Sequence, residues 1–292
     1  MEIGTVFPQL EIGDDPETIG DYARRIEDAG FEHLLSYDHV LGVNPAWDDW
    51  EGPYDNADAF HEPLTTFSYL AGVTDSLEFV TGILILPQRQ TALVAKQAAQ
   101  VDRLADGRFR LGVGVGWNPH EYVALGEEFG ERGRRIEEQV EVLRALWTES
   151  VVDFEGEYHR IEDLGINPRP VQQPIPLWMG GMADPVKRRV GRLADGWLPQ
   201  FQPGDEGVED DLADVYEAAE EAGRDPDDVG LHGRIWAVPG EEEEWVERAR
   251  AWQDLGADYL AVSTMYQDLD GPDDHAALLE EVADAFADAG IR

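Results

Sequence analysis

The sequence predicts an α/β fold, a single (β/α)8 TIM barrel, on three observations. Strand-like and helix-like patterns alternate from one end of the chain to the other, giving eight strand-helix units. The strands are continuously apolar and several carry glycine, as suits strands covered on both faces. The length, 292 residues, is that of one such barrel and leaves no linker that would mark a second domain. A doubly wound open sheet is the alternative arrangement of the same units.

The first unit is IGTVF (3–7) and a helix with Asp15 as N-cap, Pro16 in its first turn, Ile19, Tyr22, Ala23 and Ile26 on one face, and Gly30 as its stop. HLLSY (33–37) leads through a long loop to a helix over about 63–74. FVTGILIL (79–86) precedes a helix with Val94, Ala98, Val101 and Ala105 inward, and FRLGVGV (109–115) precedes one bearing Ile136, Val140, Leu143 and Trp147. IPLWM (175–179), GWLPQ (196–200), LHGRIWAV (231–238) and YLAVS (259–263) open the remaining units. Two connections exceed ordinary loop length and invite a functional reading. They are an aromatic-rich loop, 38–62, after the second strand, and an insertion at about 149–174 after the fourth, where VVDFEGEYHRI reads as a hairpin turning at Glu155-Gly156.

Composition narrows the function. There are 62 acidic against 22 basic residues, a net charge of −40, and Lys96 and Lys187 are the only lysines. Nucleic acid and anionic membrane are poor partners for such a surface. Carboxylates spread along every segment point to a salt-filled, halophilic cytoplasm, where a Debye length of ~3 Å at ~1 M salt screens the self-repulsion; an acidic mesophilic protein is the alternative. Absence of cysteine excludes disulfides, thiolate metal sites and a cysteine nucleophile. The histidines lack HExxH spacing, so no metal is expected. MEIGTVFPQL shows no basic region followed by an apolar run, and no stretch nears the ~20 apolar residues that span a bilayer. A cytoplasmic location is expected.

RFRLGVGVGWNPHEY (108–122) carries Gly112, Gly114 and Gly116 in alternation, then Trp117 where a dinucleotide fingerprint would need glycine. A nicotinamide site is therefore not indicated. In a barrel, Asp38 and His39 leave the second strand, Gly82 and Ile83 lie in the third, Gly116 and Trp117 end the fourth, and Gly180-Gly181 ends the fifth. All converge on one mouth. Gly180 and Gly181, before a helix opening near Pro185, suit a phosphate through bare N–H groups and the positive helix end. Lys187, Arg188 and Arg189 either assist that anion or lie on a solvated face.

The chain resembles the luciferase-like monooxygenase superfamily, and more closely its branch that uses the deazaflavin coenzyme F420. The likeness runs from Ile3 to about Phe201, clearest in SYDHV, FVTGILILPQR, AKQAAQVDRLADGRFRLGVGVGWNPHEY, RGRRIEEQVEVLRALW and PIPLWMGGMADPVKRRVGRLADGWLP. Beyond it the sequence fits only as completion of the barrel. The resemblance implies that Asp38 contacts the tricyclic ring and that His39 lies by its reactive face as proton donor or anion stabiliser. Imidazole suits that task, with an ordinary pKa near working pH. It also implies that Thr81-Gly82-Ile83 forms a bulge with a non-prolyl cis peptide behind the ring. Gly116, Trp117, His120, Gly180 and Gly181 complete the expected cofactor site. The 38–62 loop, with Trp47, Trp50, Tyr54, Phe60 and His61, reads either as an aromatic lid that excludes water and chooses the substrate or as a surface loop tied down by aromatic packing, and Phe7, Trp47 and His61 are expected on the substrate side. The glycines of 112–116 are expected to thin the wall for the ring. Where the sugar-phosphate dehydrogenases of the family carry glutamate, this chain carries Trp117, which speaks against that activity.

The expected function is hydride transfer between F420 and a small organic molecule, with a homodimer implied by the resemblance. Two alternatives keep the fold: an FMN-dependent monooxygenase using O2, and a barrel that binds a flavin-like ligand without turnover.

Overall fold

Apolar segments of three to seven residues, too short for helices and flanked by turn residues, build the wall of the barrel. The computed structural model describes residues 1–47 and 50–291. In chain order the elements are β1 (Glu2–Val6), α1 (Pro16–Asp28), β2 (His33–Ser36), α2 (Pro63–Leu70), β3 (Glu78–Thr81), β4 (Leu84–Ile85), α3 (Thr91–Leu104), β5 (Phe109–Gly114), α4 (Pro119–Ala124) and α5 (Arg132–Thr148). There follow β6 (Val152–Glu155), β7 (Arg160–Leu164), β8 (Leu177–Gly180), α6 (Asp184–Leu193), β9 (Gly196–Leu198), α7 (Val208–Glu221), β10 (Gly230–Trp236), α8 (Glu242–Asp254), β11 (Tyr259–Ser263) and α9 (Pro272–Asp288).

The barrel strands run β3-β2-β1-β11-β10-β9-β8-β5, and β3 pairs again with β5, setting Phe79 beside Phe109 and Val80 beside Arg110. That pairing closes the sheet and excludes the doubly wound alternative. The third strand is not continuous over 79–86. It stops at Thr81, passes through a cis Gly82–Ile83 peptide, and resumes as β4 against Val113 and Gly114 of β5. The insertion after the fourth barrel strand contains the antiparallel pair β6-β7. Its turn is pinned to α5 by Glu138, which accepts from the backbone N–H groups of Glu157 (2.7 Å) and Tyr158 (2.9 Å). The helix α4 was not expected: Asn118 caps it, accepting from His120 N at 3.0 Å, with Pro119 at its first position.

Alternation along the strands separates two cores. Ile3 and Phe7 point outward into the layer between strands and helices, whereas Val6, Leu35, Val80, Trp178, Leu198, Ala261 and Met265 fill the barrel interior. Below them lies a polar layer. His33 and His232 share an Nε2 to Nε2 hydrogen bond of 3.1 Å, and Arg110 lies 3.6 Å over the Tyr259 ring while pairing with Glu78 at 2.8 Å. Burial pushes both imidazoles well below the ordinary histidine range, so they stay neutral. Among the described residues no helix is long and apolar enough to cross a membrane.

Candidate functional site

The C-terminal strand ends surround a cleft of two adjoining lobes. The first, about 340 Å3, is walled by Leu35, Ile83, Gly114, Gly180, Leu198 and Gly233, and reaches Arg132, Gly181 and Ala183 at one end and His232 at its floor. The second, about 230 Å3, is walled by Tyr37, His39, Tyr54, Trp236, Met265 and Tyr266. Gly82, Ile83, Gly116, Trp117, Gln200 and Arg234 belong to both.

His39 follows β2 and is held by a residue that the motif reading passed over. Its Nδ1–H donates to Glu121 Oε2 at 3.2 Å, while Glu121 Oε1 accepts from the N–H groups of Val40 (2.6 Å) and Leu41 (3.1 Å). Burial pushes the Glu121 carboxyl up, but the hydrogen bonds from His39, Leu41 and Val40 outweigh it and leave the group below the ordinary glutamate range. With Nδ1 committed to a carboxylate, the Nε2 edge is the one left for chemistry. Glu121 projects from α4, and Asn118-Pro119 was the helix-start signal that could have drawn attention to it.

Asp38 lines the second lobe, yet its carboxylate is already engaged. Oδ1 pairs with Arg89 at 2.7 Å and Oδ2 accepts from Ile85 N at 2.9 Å. Burial pushes its carboxyl above the ordinary aspartate range, against the opposing pull of Arg89 and the Ile85 N–H. Asp38 therefore holds β4 in place beyond the cis peptide, and a ring contact from it would be through its edge beside that pair.

The glycines of β5 make room for the interrupted strand, and Gly114 also lines the first lobe. A Cβ on Gly112 would lie 2.0 Å from the Thr81 carbonyl oxygen, and one on Gly114 would lie 2.7 Å from the Ile83 side chain. Thr81, which also donates to Gly112 O at 2.6 Å, is a buried strut beneath the cleft and does not line it. Ile83 is thereby pressed forward, exposing its own face to the first lobe.

At the far end, α6 opens without a side-chain cap at Ala183; Pro185 has no N–H and Val186 N–H already donates to the Ala183 carbonyl at 2.7 Å, so Asp184 N–H is the first-turn donor left for an anion. Arg132 stands beside it, its guanidinium 3.6 Å over the Phe129 ring and its Nε without a partner. Lys187 and Arg189, by contrast, point away. Lys187 is spent on Asp211 (2.7 Å), Asp214 (2.5 Å) and Asp184 (3.2 Å), and Arg189 on Glu137 (3.1 Å). Arg188 is exposed.

Besides Thr81, three expected substrate contacts and one further cofactor contact fall elsewhere. Phe7 is fully buried in the outer core against Tyr22 and His61, because Val6 takes the inward position of that strand. His61 bonds to the Gly13 carbonyl at 3.0 Å, tying the long loop to the β1-α1 connection. Trp47 is 55% exposed and packs on His120, ring centres 4.7 Å apart, so both form the rim and neither lines a lobe. Trp50 stacks on Trp117 at 5.7 Å, and Phe60 and Tyr54 meet the His39 ring at 4.8 and 5.3 Å. Asp48 and Asp49, within the 38–62 loop, lie outside the described residues.

The model of the luciferase-like monooxygenase family matches residues 1–290. An uncharacterised Mycobacterium tuberculosis protein is 36% identical over 210 residues, 69% of this chain and 71% of its own. The FMNH2-dependent dimethylsulfone monooxygenase of Pseudomonas putida is 31% identical over 76% of this chain, which spans 60% of that protein. The F420-dependent hydroxymycolic acid dehydrogenase of M. tuberculosis is 30% identical over 80% of this chain and 62% of its own length. Two solved structures share the fold. The monooxygenase RslO1 of Streptomyces bottropensis superposes with TM-score 0.75, 19% identity and 99% of both chains covered. The F420-dependent tetrahydromethanopterin reductase of Methanopyrus kandleri follows at 0.73, 18% and 97% of both. Parallel barrel, interrupted third strand and a family match over nearly the whole length agree: the chain belongs to the luciferase-like monooxygenase family.

Proposed function

We propose that this chain is an oxidoreductase that binds coenzyme F420 in the first lobe and exchanges a hydride with a small organic substrate in the second. The observation that carries the reading is His39, oriented by Glu121 so that Nε2 stands at the second lobe. A hydride exchanged with a carbonyl or an alcohol requires a paired proton, and a fixed imidazole at that junction can give or take it.

The residues suit a deazaflavin. Ile83 and the Gly82–Ile83 peptide offer a flat backing, and Gly114 and Gly180 keep the slot free of side chains. Gly181, Ala183 and Arg132 would hold the phosphate. The bound coenzyme supplies the hydride chemistry. Trp117 and the aromatic loop exclude water above the slot, and Asp38 with Arg89 keeps the backing in position. A charge of −40 supports a working place in a salt-rich cytoplasm.

The likeness to an FMNH2-dependent relative supports a second reading, an FMN monooxygenase fed by a reductase. Titration with oxidised and reduced F420 and with FMN, followed by absorbance, separates the two. We expect F420 to bind at least tenfold more tightly; FMN binding alone, with O2 consumption, would replace the first reading by the second. His39→Ala is expected to keep F420 affinity and lose turnover. A wild-type protein that binds and never turns over would make the barrel a carrier.

A further inference from the structure

Arg132 and Arg234 are the two guanidinium groups that line the cleft, and neither forms an ion pair among the described residues. In a chain with 62 acidic and 22 basic residues this needs a cause, since a half-buried cation without a counter-charge is costly to desolvate. Arg110, deeper in the same barrel, shows the usual solution in its pair with Glu78. Arg132 is explained by the phosphate end of the first lobe. Arg234 is not. It leaves β10, which stands opposite β3 and β4 in the closed barrel, so it faces the side of a bound ring that the backing does not cover. Its Nη1 donates to the Tyr37 hydroxyl at 2.7 Å and its guanidinium lies 4.8 Å over the Trp236 ring. Its Nη2 makes no hydrogen bond among the described residues.

The second lobe is otherwise largely aromatic and aliphatic, with Ile83, Ile85 and Met265 beside the rings. Tyr54, Trp117, Trp236 and Tyr266 surround it, and Asp38, its carboxylate, is neutralised by Arg89. Its volume of about 230 Å3 falls below the ~300 to 1,000 Å3 of drug-sized pockets, which limits an occupant to one or two rings. We propose that this lobe takes a planar conjugated carboxylate, an aromatic or α,β-unsaturated acid, with its carboxylate on Arg234 and its carbon skeleton stacked between the aromatic walls, one edge toward His39. A guanidinium pairs with carboxylate through parallel hydrogen bonds, and aromatic faces select flat ligands over puckered ones. A doubly charged phosphoester is disfavoured, because Arg234 is the one cation of the lobe without a counter-charge among the described residues and balances a single negative charge. The proposal rests on the first lobe being the cofactor site, which leaves the second for substrate.

Calorimetric titration of the full chain with 2-naphthoate and its neutral isostere 2-naphthamide tests the charge, and benzoate against cyclohexanecarboxylate tests the flatness. Each is run without cofactor and with saturating oxidised F420 or FMN. Naphthoate should bind at least tenfold more tightly than the amide, and benzoate several-fold more tightly than its saturated analogue. Arg234→Gln should erase the first difference, Arg234→Lys should keep part of it, and Arg132→Gln should leave it intact while weakening the cofactor. An unchanged melting temperature and far-ultraviolet circular dichroism spectrum in R234Q establish that the variant is folded; if it is not, the R234K and R132Q comparison decides. Equal binding of acid and amide, loss in R132Q instead of R234Q, or R234Q weakening only the cofactor would each overturn the proposal. Carboxylate selectivity in a protein that binds neither F420 nor FMN would instead sink the cofactor reading and leave the anion site standing.

Discussion

A buried carboxylate decides which edge of one imidazole is available. Glu121 is 1% exposed and spends both oxygens on the segment that carries His39. Glu121→Gln should let His39 populate both neutral tautomers, visible in its 15N spectrum, and should lower kcat roughly 10- to 100-fold with KM nearly unchanged. That is less than the ~10² to 10⁴ attached to a positioned proton-transfer group itself. A second readout follows from protonation. A carboxyl held below its ordinary range contributes stability that is complete above the unfolded value of ~4.3 and is lost as pH falls through the lower folded value. The variant's melting temperature should accordingly vary less with pH between about 3 and 5 than the wild type's. His39 could be singled out in the sequence because it follows a strand inside a familiar motif. Glu121 was legible only as a residue of a helix that Asn118-Pro119 signals, without its partner, and Arg132 and Arg234 were not legible, because their importance comes from what stands unpaired or opposite across the barrel, and a linear pattern carries no such distance.

The element that organises the cleft is the interrupted third strand, and β5 is built around it. Gly112→Ala would drive a methyl group into the Thr81 carbonyl. The expected cost is about 1 to 3 kcal/mol, as for overpacked cores, with weakened F420 or FMN binding; thermal melts and titration measure the two. A variant as stable as the wild type would mean that the strands shift more freely than their pairing implies. The alternation of strands and helices was legible throughout, because eight amphipathic or buried segments repeat the same two periods. The break at Gly82 was legible only by resemblance, since FVTGILIL reads as one apolar run. Phe7 was misplaced for a related reason: which face of β1 looks inward depends on its register with β2 and β11, and a shift of one residue exchanges the faces.

At the scale of the whole molecule, charge and the polar barrel floor set the conditions for stability. With a net charge of −40, mutual repulsion favours expansion at low ionic strength, and screening within ~3 Å at ~1 M salt removes most of it. The melting temperature should climb steadily from 0.05 M to 2 M KCl, concentrations taken on the order of that screening range; a flat response would show that the carboxylates are already balanced locally. His33 and His232 act in the opposite pH direction from a paired histidine. Both are neutral in the fold at pH values where the unfolded chain would bind a proton, so stability is complete above the unfolded value of ~6.5 and declines as pH drops below it. Melts between about pH 5 and 7 should show that decline, and a His33→Gln, His232→Gln double variant should flatten it.

Arg89 reaches Asp38 with one nitrogen and Glu62 with another. Those two carboxylates are the feet of the long aromatic connection, so a single guanidinium clasps it at the base. Such a segment behaves as an exchangeable cassette. Foreign sequence could be grafted between Val43 and Phe60 at a small added closure cost, since that cost grows only logarithmically with length. Descendants of this chain could thus acquire new molecular tastes by rewriting the cassette, as long as the rings that Tyr54 and Phe60 set against His39 are kept.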